Sequence, residues 1–243
     1  MTTQKPSRRT RRTPAQPDSS GLWWYLVSAS AALMLVILMG GLNGYRWWRS
    51  LPFDPQWSQH DSPVPLVMQG GDPYIRALMR TISASESSGP RPYSLLYGGE
   101  HIVDLSQHPD RCVRIFAGPN IGNCSTAAGR YQMLTTTWYE KAKKYHPNPP
   151  ILFWESYNFA PEYQDEVVYR WLSDSQYWGI NLSQLLQEGH VHEVLRVLSP
   201  TWTSLGYGIE TNVVSDDLPD IYQQMLQEEL KTASASSPSQ QNN

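Results

Sequence analysis

The sequence predicts an α+β domain, mainly helical with one small β-hairpin, preceded by a single transmembrane helix. Three observations predict it. A charge-free apolar run occupies Leu22 to Leu42. Apolar residues recur at helical spacing in several later segments, the first being Ile75, Leu78, Met79 and Ile82. Between the first two of these segments, Tyr93 to Leu105 reads as a hairpin turning near Tyr97-Gly98-Gly99.

A chain of 243 residues is long enough for one domain of ordinary size plus flanking segments. Ten Trp and 14 Tyr suit a packed core and also a sugar-binding cleft. The net charge of −3 conceals an asymmetry. Residues 1–50 carry seven basic side chains (Lys5, Arg8, Arg9, Arg11, Arg12, Arg46, Arg49) against one acid, Asp18, and the rest of the chain is net −9. So acidic a main domain argues against nucleic acid as a partner. Two cysteines, Cys112 and Cys124, are too few and too far apart for the usual zinc site, and no cofactor is indicated.

Residues 1–20 are basic and rich in Pro, Ser and Thr, with almost nothing to bury, and read as a disordered tail. Residues 21–44 read as a transmembrane signal anchor. A 21-residue helix rises roughly 31 Å, close to the hydrocarbon thickness. Trp23, Trp24 and Tyr25 mark one interface, and Tyr45, Trp47 and Trp48 the other. A buried core helix fits less well, because no face of the stretch is polar. Five basic residues precede the run and two follow it, which places the N-terminus in the cytoplasm and the remainder outside. A cleaved signal peptide would have a shorter run and an A-x-A site. The expected location is therefore the inner membrane, with a periplasmic domain. Residues 45–71 form a Pro-rich stalk.

The folded domain is expected over residues 72–231. Asp72-Pro73 is a helix start, with Asp as N-cap and Pro at the first helical position. Counting on from Ile75, Glu86 falls at i+11, on the same face as the apolar residues. It also lies in the last turn, since Ser87-Ser88-Gly89-Pro90 must end the helix. Desolvation and the negative end of the helix dipole both disfavour the ionised form. A carboxyl kept protonated near neutral pH is what acid catalysis at a glycosidic bond requires. A lone Glu at a helix end more often turns to solvent, so the case rests on its neighbours.

A second helix is expected from Arg130 to about Tyr145, with Tyr131, Leu134, Trp138 and Ala142 on one side. Pro161-Glu162 begins a third, whose Val167, Val168, Trp171 and Leu172 face the core. Val191, Val194, Leu195 and Leu198 do the same in the next, with His190 and His192 solvated rather than metal-bound. Ile221, Met225 and Leu226 mark a closing helix, and residues 232–243 read as a disordered tail.

Three short blocks occur in order: Glu86-Ser87-Ser88-Gly89, Gly129-Arg130-Tyr131-Gln132 and Gly206-Tyr207-Gly208. Their order and spacing resemble the lysozyme-fold lytic transglycosylases. The resemblance sharpens to the phage-lambda-type endolysins through Tyr93-x-x-x-Tyr97-Gly98-Gly99-Glu100, Asp104, His108-Pro109, Ala128 to Gln132 and the late Trp202 with Gly206-Tyr207-Gly208. It covers about residues 73–230. The chain departs from that pattern at Ser94, where an acid is usual, in the longer stretch Phe116–Ser125, and in having its own membrane anchor.

The resemblance implies a lysozyme-like fold and cleavage of the bond between N-acetylmuramic acid and N-acetylglucosamine in peptidoglycan. It implies that Glu86 first protonates the glycosidic oxygen and then takes the proton of the muramic 6-hydroxyl, closing a 1,6-anhydro ring without water. Tyr93, Glu100, Tyr131, Gln132 and Tyr207 are the expected substrate-binding residues. For Tyr131 ordinary core packing is an equal alternative, and Arg130 could equally be an ion-pair partner. Hydrolysing glycosidases usually use two carboxyl groups, and only Glu100 and Asp104 follow Glu86 closely enough to be a second. A hydrolytic muramidase and a non-catalytic wall-binding protein therefore stand as alternatives. Cys112 and Cys124 lie in one loop region outside the membrane, where oxidation is allowed, and are expected to form a disulfide unless they are buried apart.

Overall fold

A computed structural model describes residues 63–87, 89–116, 120–152, 155–207 and 215–236. The chain divides into two units, residues 1–57 and 58–243, and all the described residues belong to the second. The expected tail 1–20, the expected span 21–44 and most of the stalk lie outside them. Among the described residues no helix is long and apolar enough to cross a membrane.

Asp72 starts the helix that organises the domain. Its Oδ1 accepts from Tyr74 N at 2.8 Å, and Pro73 fills the first helical position, where a missing N–H costs nothing. The resulting helix, α1 (Pro73–Glu86), buries Ile75, Leu78, Met79 and Ile82. It packs most extensively against the last helix, α7 (Leu218–Ser236). Three ion pairs join them. Arg76 Nε meets Glu229 Oε2 at 2.5 Å, and Arg80 reaches Glu229 at 3.2 Å and Glu228 at 2.6 Å. The helix α7 continues to Ser236, past residue 231, where the sequence ends the domain.

Residues 63–68, assigned to the stalk by sequence, lie along the domain as an extended strap. Leu66 and Met68 are buried. Backbone groups of the strap are taken up by charged side chains: Arg80 donates to Pro63 O at 2.8 Å, Arg130 to Val64 O and Pro65 O, and Asp165 accepts from Val67 N and Met68 N.

The chain doubles back at Tyr97-Gly98-Gly99, as the hairpin expected over 93–105 requires, with Leu96 N donating to Glu100 O at 2.7 Å and Ile102 N to Ser94 O at 3.0 Å, but it forms no extended strand pair. Pro92–Ser94 is a 3-10 turn, and Leu95 meets His101 in a single antiparallel bridge. The reason is competition. Leu95 O accepts from Gly129 N at 2.8 Å and Tyr97 N donates to Ala127 O at 2.9 Å, so part of this segment's backbone is taken up by a later loop. The two-stranded sheet is a different pair, β1 (Val113–Arg114) and β2 (Cys124–Ser125), antiparallel, with Val113 opposite Ser125. A disulfide joins Cys112 to Cys124 at the base of this pair.

The second helix also begins later than expected. Ala128 and Met133 exchange both backbone hydrogen bonds (3.1 and 3.0 Å), with Gly129 at φ +74° and Gln132 at φ +43°. This closed turn displaces helical geometry, and α2 runs only over Thr135–Tyr145. Four helices follow: α3 (Pro161–Leu172), the single turn α4 (Ser175–Trp178), α5 (Leu182–Gln187) and α6 (Val191–Leu198). Apolar residues of α3, α5 and α6 join those of α1 in one core, and Trp178 of α4 packs against it. Within it Trp138 packs edge-on to Phe159 (4.7 Å between ring centres), and Trp171 lies 5.1 Å from Trp202. Each such fully buried side chain contributes about 1.5–3 kcal/mol of apolar transfer.

Candidate active site

Glu86 is the last residue of α1 and is half-buried. The helix stops there because Ser87 leaves helical geometry (φ −148°) while its N–H still reaches Ser83 O at 2.9 Å. Ser87 is buried, and its hydroxyl donates to Arg130 O at 2.6 Å. The carboxyl-bearing end of α1 is thereby pinned to the Gly129-Arg130-Tyr131-Gln132 turn.

A third segment closes on the same point. Ser204 Oγ is hydrogen-bonded to Glu86 Oε1 and lies 3.1 Å from Ser85 Oγ. Ser204 is held from behind. Trp202 Nε1 donates to Tyr131 O at 3.1 Å, Leu205 is fully buried, and Ser204 O accepts from Ser215 Oγ at 2.9 Å. Thus all three sequence blocks converge: Glu86-Ser87, the Gly129–Gln132 turn and the segment ending in Gly206-Tyr207.

Beneath the turn lies a buried polar network. Asp165 on α3 accepts from Tyr131 Oη (2.7 Å), Tyr93 Oη (2.8 Å), Val67 N (2.8 Å) and Met68 N (3.2 Å). Arg130 donates to Tyr93 Oη at 2.9 Å, with its guanidinium 5.2 Å from the Tyr93 ring centre. Burial lifts the Asp165 carboxyl above its ordinary range, against Arg130 and the four donors that favour its charge. Burial first, and the Asp165 charge second, push the Tyr93 and Tyr131 hydroxyls well above the usual phenol range, so both remain donors.

Gln164, next to Asp165, locks the turn from below. It accepts from Arg130 N at 2.9 Å and donates to Tyr93 O and Phe159 O. Gly129 is required here: at φ +74° a Cβ would stand 2.7 Å from Phe159 Cζ and press on Gln164.

The expected substrate-binding residues are therefore placed differently from one another. Tyr131 is buried, and its hydroxyl is spent on Asp165, so it presents no face to a ligand. Tyr93 joins the same network. Gln132 is half-buried, and its amide nitrogen holds Leu95 O (3.2 Å) and Gly129 O (3.0 Å). Glu100 is exposed and pairs with Arg111 at 2.7 Å. Asp104 is fully exposed and caps Ser106 N at 2.9 Å; that hydrogen bond lowers its carboxyl below the usual range. Tyr207 is exposed at φ +62°, with its hydroxyl 2.6 Å from His192 Nδ1 and the Arg196 guanidinium 5.2 Å from its ring centre. Among the described residues no cluster of three or more His, Cys, Asp or Glu is placed to hold a metal ion.

Sequence reasoning misses Ser204, Gln164 and Asp165. Ser204 carries no local signal. Gln164 and Asp165 do: Gln164 lies three, four and seven positions before Val167, Val168 and Trp171, Asp165 lies three before Val168, and both are on the buried face of α3.

The family model for endolysins matches residues 76–228. The endolysin of Escherichia phage lambda is 28% identical over 119 residues, which is 48% of this chain and 64% of that relative. The match thus spans a little under two thirds of the phage protein's own length. Two solved structures are also similar. Bacteriophage lambda lysozyme complexed with a chitohexasaccharide is 24% identical, with a TM-score of 0.48, over 65% of this chain and 97% of that one. Lysozyme from bacteriophage lambda is 22% identical, with a TM-score of 0.47, over 67% of this chain and 97% of that one.

Proposed function

Because the chain belongs to the endolysin family, we propose that it cleaves peptidoglycan glycan strands with Glu86 as its catalytic acid, and that it does so without water. The observation that supports this reading is the convergence of three chain segments on Glu86, through Ser87 with Arg130 and through Ser204. Many contacts are spent on fixing one half-buried carboxyl at a helix end.

In the proposed reaction Glu86 gives its proton to the oxygen between N-acetylmuramic acid and N-acetylglucosamine. The C1–O bond breaks and N-acetylglucosamine departs as the free alcohol. The substrate's N-acetyl group shields the cationic carbon. The muramic 6-hydroxyl then attacks C1, and its proton returns to Glu86, which ends as it began. The rival hydrolytic route usually uses a second carboxylate. Glu100 and Asp104, its candidates, are exposed and engaged with Arg111 and Ser106. We place the domain outside the cytoplasm, held by residues 21–44 at the inner membrane, where such a substrate lies.

Purified chain acting on isolated sacculi tests the site. Glu86→Gln keeps size and removes the proton, and should lower turnover by about 10³-fold. Glu100→Gln and Asp104→Asn should each retain most activity. A loss at either acid comparable to that of Glu86→Gln would favour the hydrolase, and binding of sacculi with no cleavage by the wild type would favour a wall-binding protein.

A further inference from the structure

The hydroxyl of Ser204 has one hydrogen and two potential acceptors, Glu86 Oε1 and Ser85 Oγ. It cannot donate to both. Ser85 cannot return the favour without giving something up, because its own hydrogen lies on Ile82 O at 2.9 Å. The hydrogens can then be arranged in two ways. With Glu86 protonated, the carboxyl donates to Ser204 Oγ, Ser204 donates to Ser85 Oγ, and Ser85 donates to Ile82 O. With Glu86 ionised, Ser204 turns its single hydrogen onto Oε1, and Ser85 stays on Ile82 O. Each arrangement keeps a hydrogen bond between Ser204 and Glu86 Oε1, and apart from the carboxyl's own proton only a hydroxyl rotation separates them.

We infer that Ser204, backed by Ser85, is a positioning residue that holds Glu86 in both of its protonation states. This inference rests on the proposed use of Glu86 as acid and then base, which requires one carboxyl to keep its place while its charge changes. The backing is rigid: Ser204 O is tied to Ser215, Leu205 N reaches Trp202 O at 3.0 Å, and Trp202 is buried. Among the described residues, the titratable and charged side chains on the segments meeting this corner are Tyr74, Arg76 and Arg80 on α1, Arg130 and Tyr131 in the turn, Tyr207 on the Ser204 segment, His192, Glu193 and Arg196 on α6, and Asp216 and Asp217 beyond Ser215. They are the same in every serine variant, so differences among those variants report the serines.

Ser85 serves as acceptor only in the acid arrangement. Removing it therefore destabilises protonated Glu86 and lowers that carboxyl's titration, whereas removing Ser204 takes a hydrogen bond from Glu86 in both states. The test uses the full chain in detergent, with isolated sacculi as substrate, and pH profiles of kcat and kcat/KM for wild type, Ser204→Ala, Ser204→Thr and Ser85→Ala. The carboxyl of Glu86 is titrated separately by infrared spectroscopy without substrate, assigned by difference from Glu86→Gln. Ser204→Ala should lower kcat about tenfold or more with KM within about twofold, and Ser204→Thr, which keeps the hydroxyl, should restore most of it. Ser85→Ala should move the alkaline limb of kcat/KM and the infrared titration down by about half a pH unit. Wild-type kcat in Ser204→Ala, or an unmoved infrared titration in Ser85→Ala, would overturn the inference. A wild-type chain that releases nothing from sacculi sinks the reaction instead, and the infrared titration still decides the relation between the serines and Glu86.

Discussion

Ser204 hydrogen-bonds Glu86 Oε1 across 118 residues of sequence, and that bond ties the far end of the chain to the end of its first described helix. Both residues sit on elements fixed by other contacts. Glu86 ends a helix whose apolar face is core, and Ser204 lies between buried Trp202 and buried Leu205.

The Asp165 network is the foundation under the Gly129–Gln132 turn. Asp165→Asn would set an amide N–H₂ against donors already aimed at the carboxylate and leave Arg130 without its counter-charge. Breaking a buried charged group of this kind should cost about 3 kcal/mol. Urea unfolding of the purified chain should show the loss as a lower midpoint with an unchanged slope. A midpoint equal to wild type would mean that Arg130 and the two tyrosines find other partners.

His108 gives the domain an acid-side weakness. Its Nε2 is 2.9 Å from Met133 O and its Nδ1 accepts from Asp110 N at 3.2 Å, an arrangement that uses the neutral ring. Burial holds its pKa below the ordinary 6.5, and His146, bonded in the same manner to Asn158 O and Asn148 N, is lowered for the same first reason. A histidine depressed in the folded state contributes stability that is complete above 6.5 and is lost as pH falls through the folded value. The Tm should therefore be level above about 6.5 and decline below it. His108→Gln should flatten that decline; an identical acid slope in wild type and variant would exclude His108 as its source.

The disulfide closes a short loop. Cys112 and Cys124 are 12 residues apart, and cross-linking a loop of that size stabilises by about 3 kcal/mol through the unfolded chain. Replacing both by Ala should lower stability by up to that amount. Glu86 activity should survive below the new Tm, since Ser204, which hydrogen-bonds Glu86, and Ser87 with Arg130 lie on other segments. A double variant as stable as wild type would show that the hairpin is already ordered by its backbone pairing.

How much of this was legible in the sequence differs from element to element. The helix carrying Glu86 could be read because its signals are local: Asp72-Pro73 to start it, a 3–4 residue apolar repeat, and a Ser-Ser-Gly-Pro end. The turn at Gly129–Gln132 was recognisable as a block but not in conformation, because Gln164 and Leu95, both distant in sequence, shape it. The strap over residues 63–68 reads as stalk for the same reason, since the groups that bind it are Arg80, Arg130 and Asp165. The burial of Tyr131 follows from Asp165, and Asp165 could have been found. A carboxylate on the apolar face of α3 is the same anomaly that singles out Glu86.

The proposed anchor makes a prediction outside the described residues. Five basic residues before Leu22–Leu42 and two after it place the N-terminus in the cytoplasm. A phosphatase that folds only in the periplasm, fused after Asn243, should be active, and a reporter that works only in the cytoplasm should be silent at the same position. The reverse pattern would invert the topology and remove the domain from its proposed substrate.

The most direct test of the central claim is the mass of the fragments released from isolated sacculi by the wild-type chain, with Glu86→Gln run beside it. If Glu86 acts as acid and then base on the sugar's own hydroxyl, the wild type releases 1,6-anhydromuramic fragments, each lighter than its hydrolysed counterpart by one water, and the variant releases almost none. Hydrated fragments from the wild type, or anhydro fragments from Glu86→Gln at the wild-type rate, would contradict it.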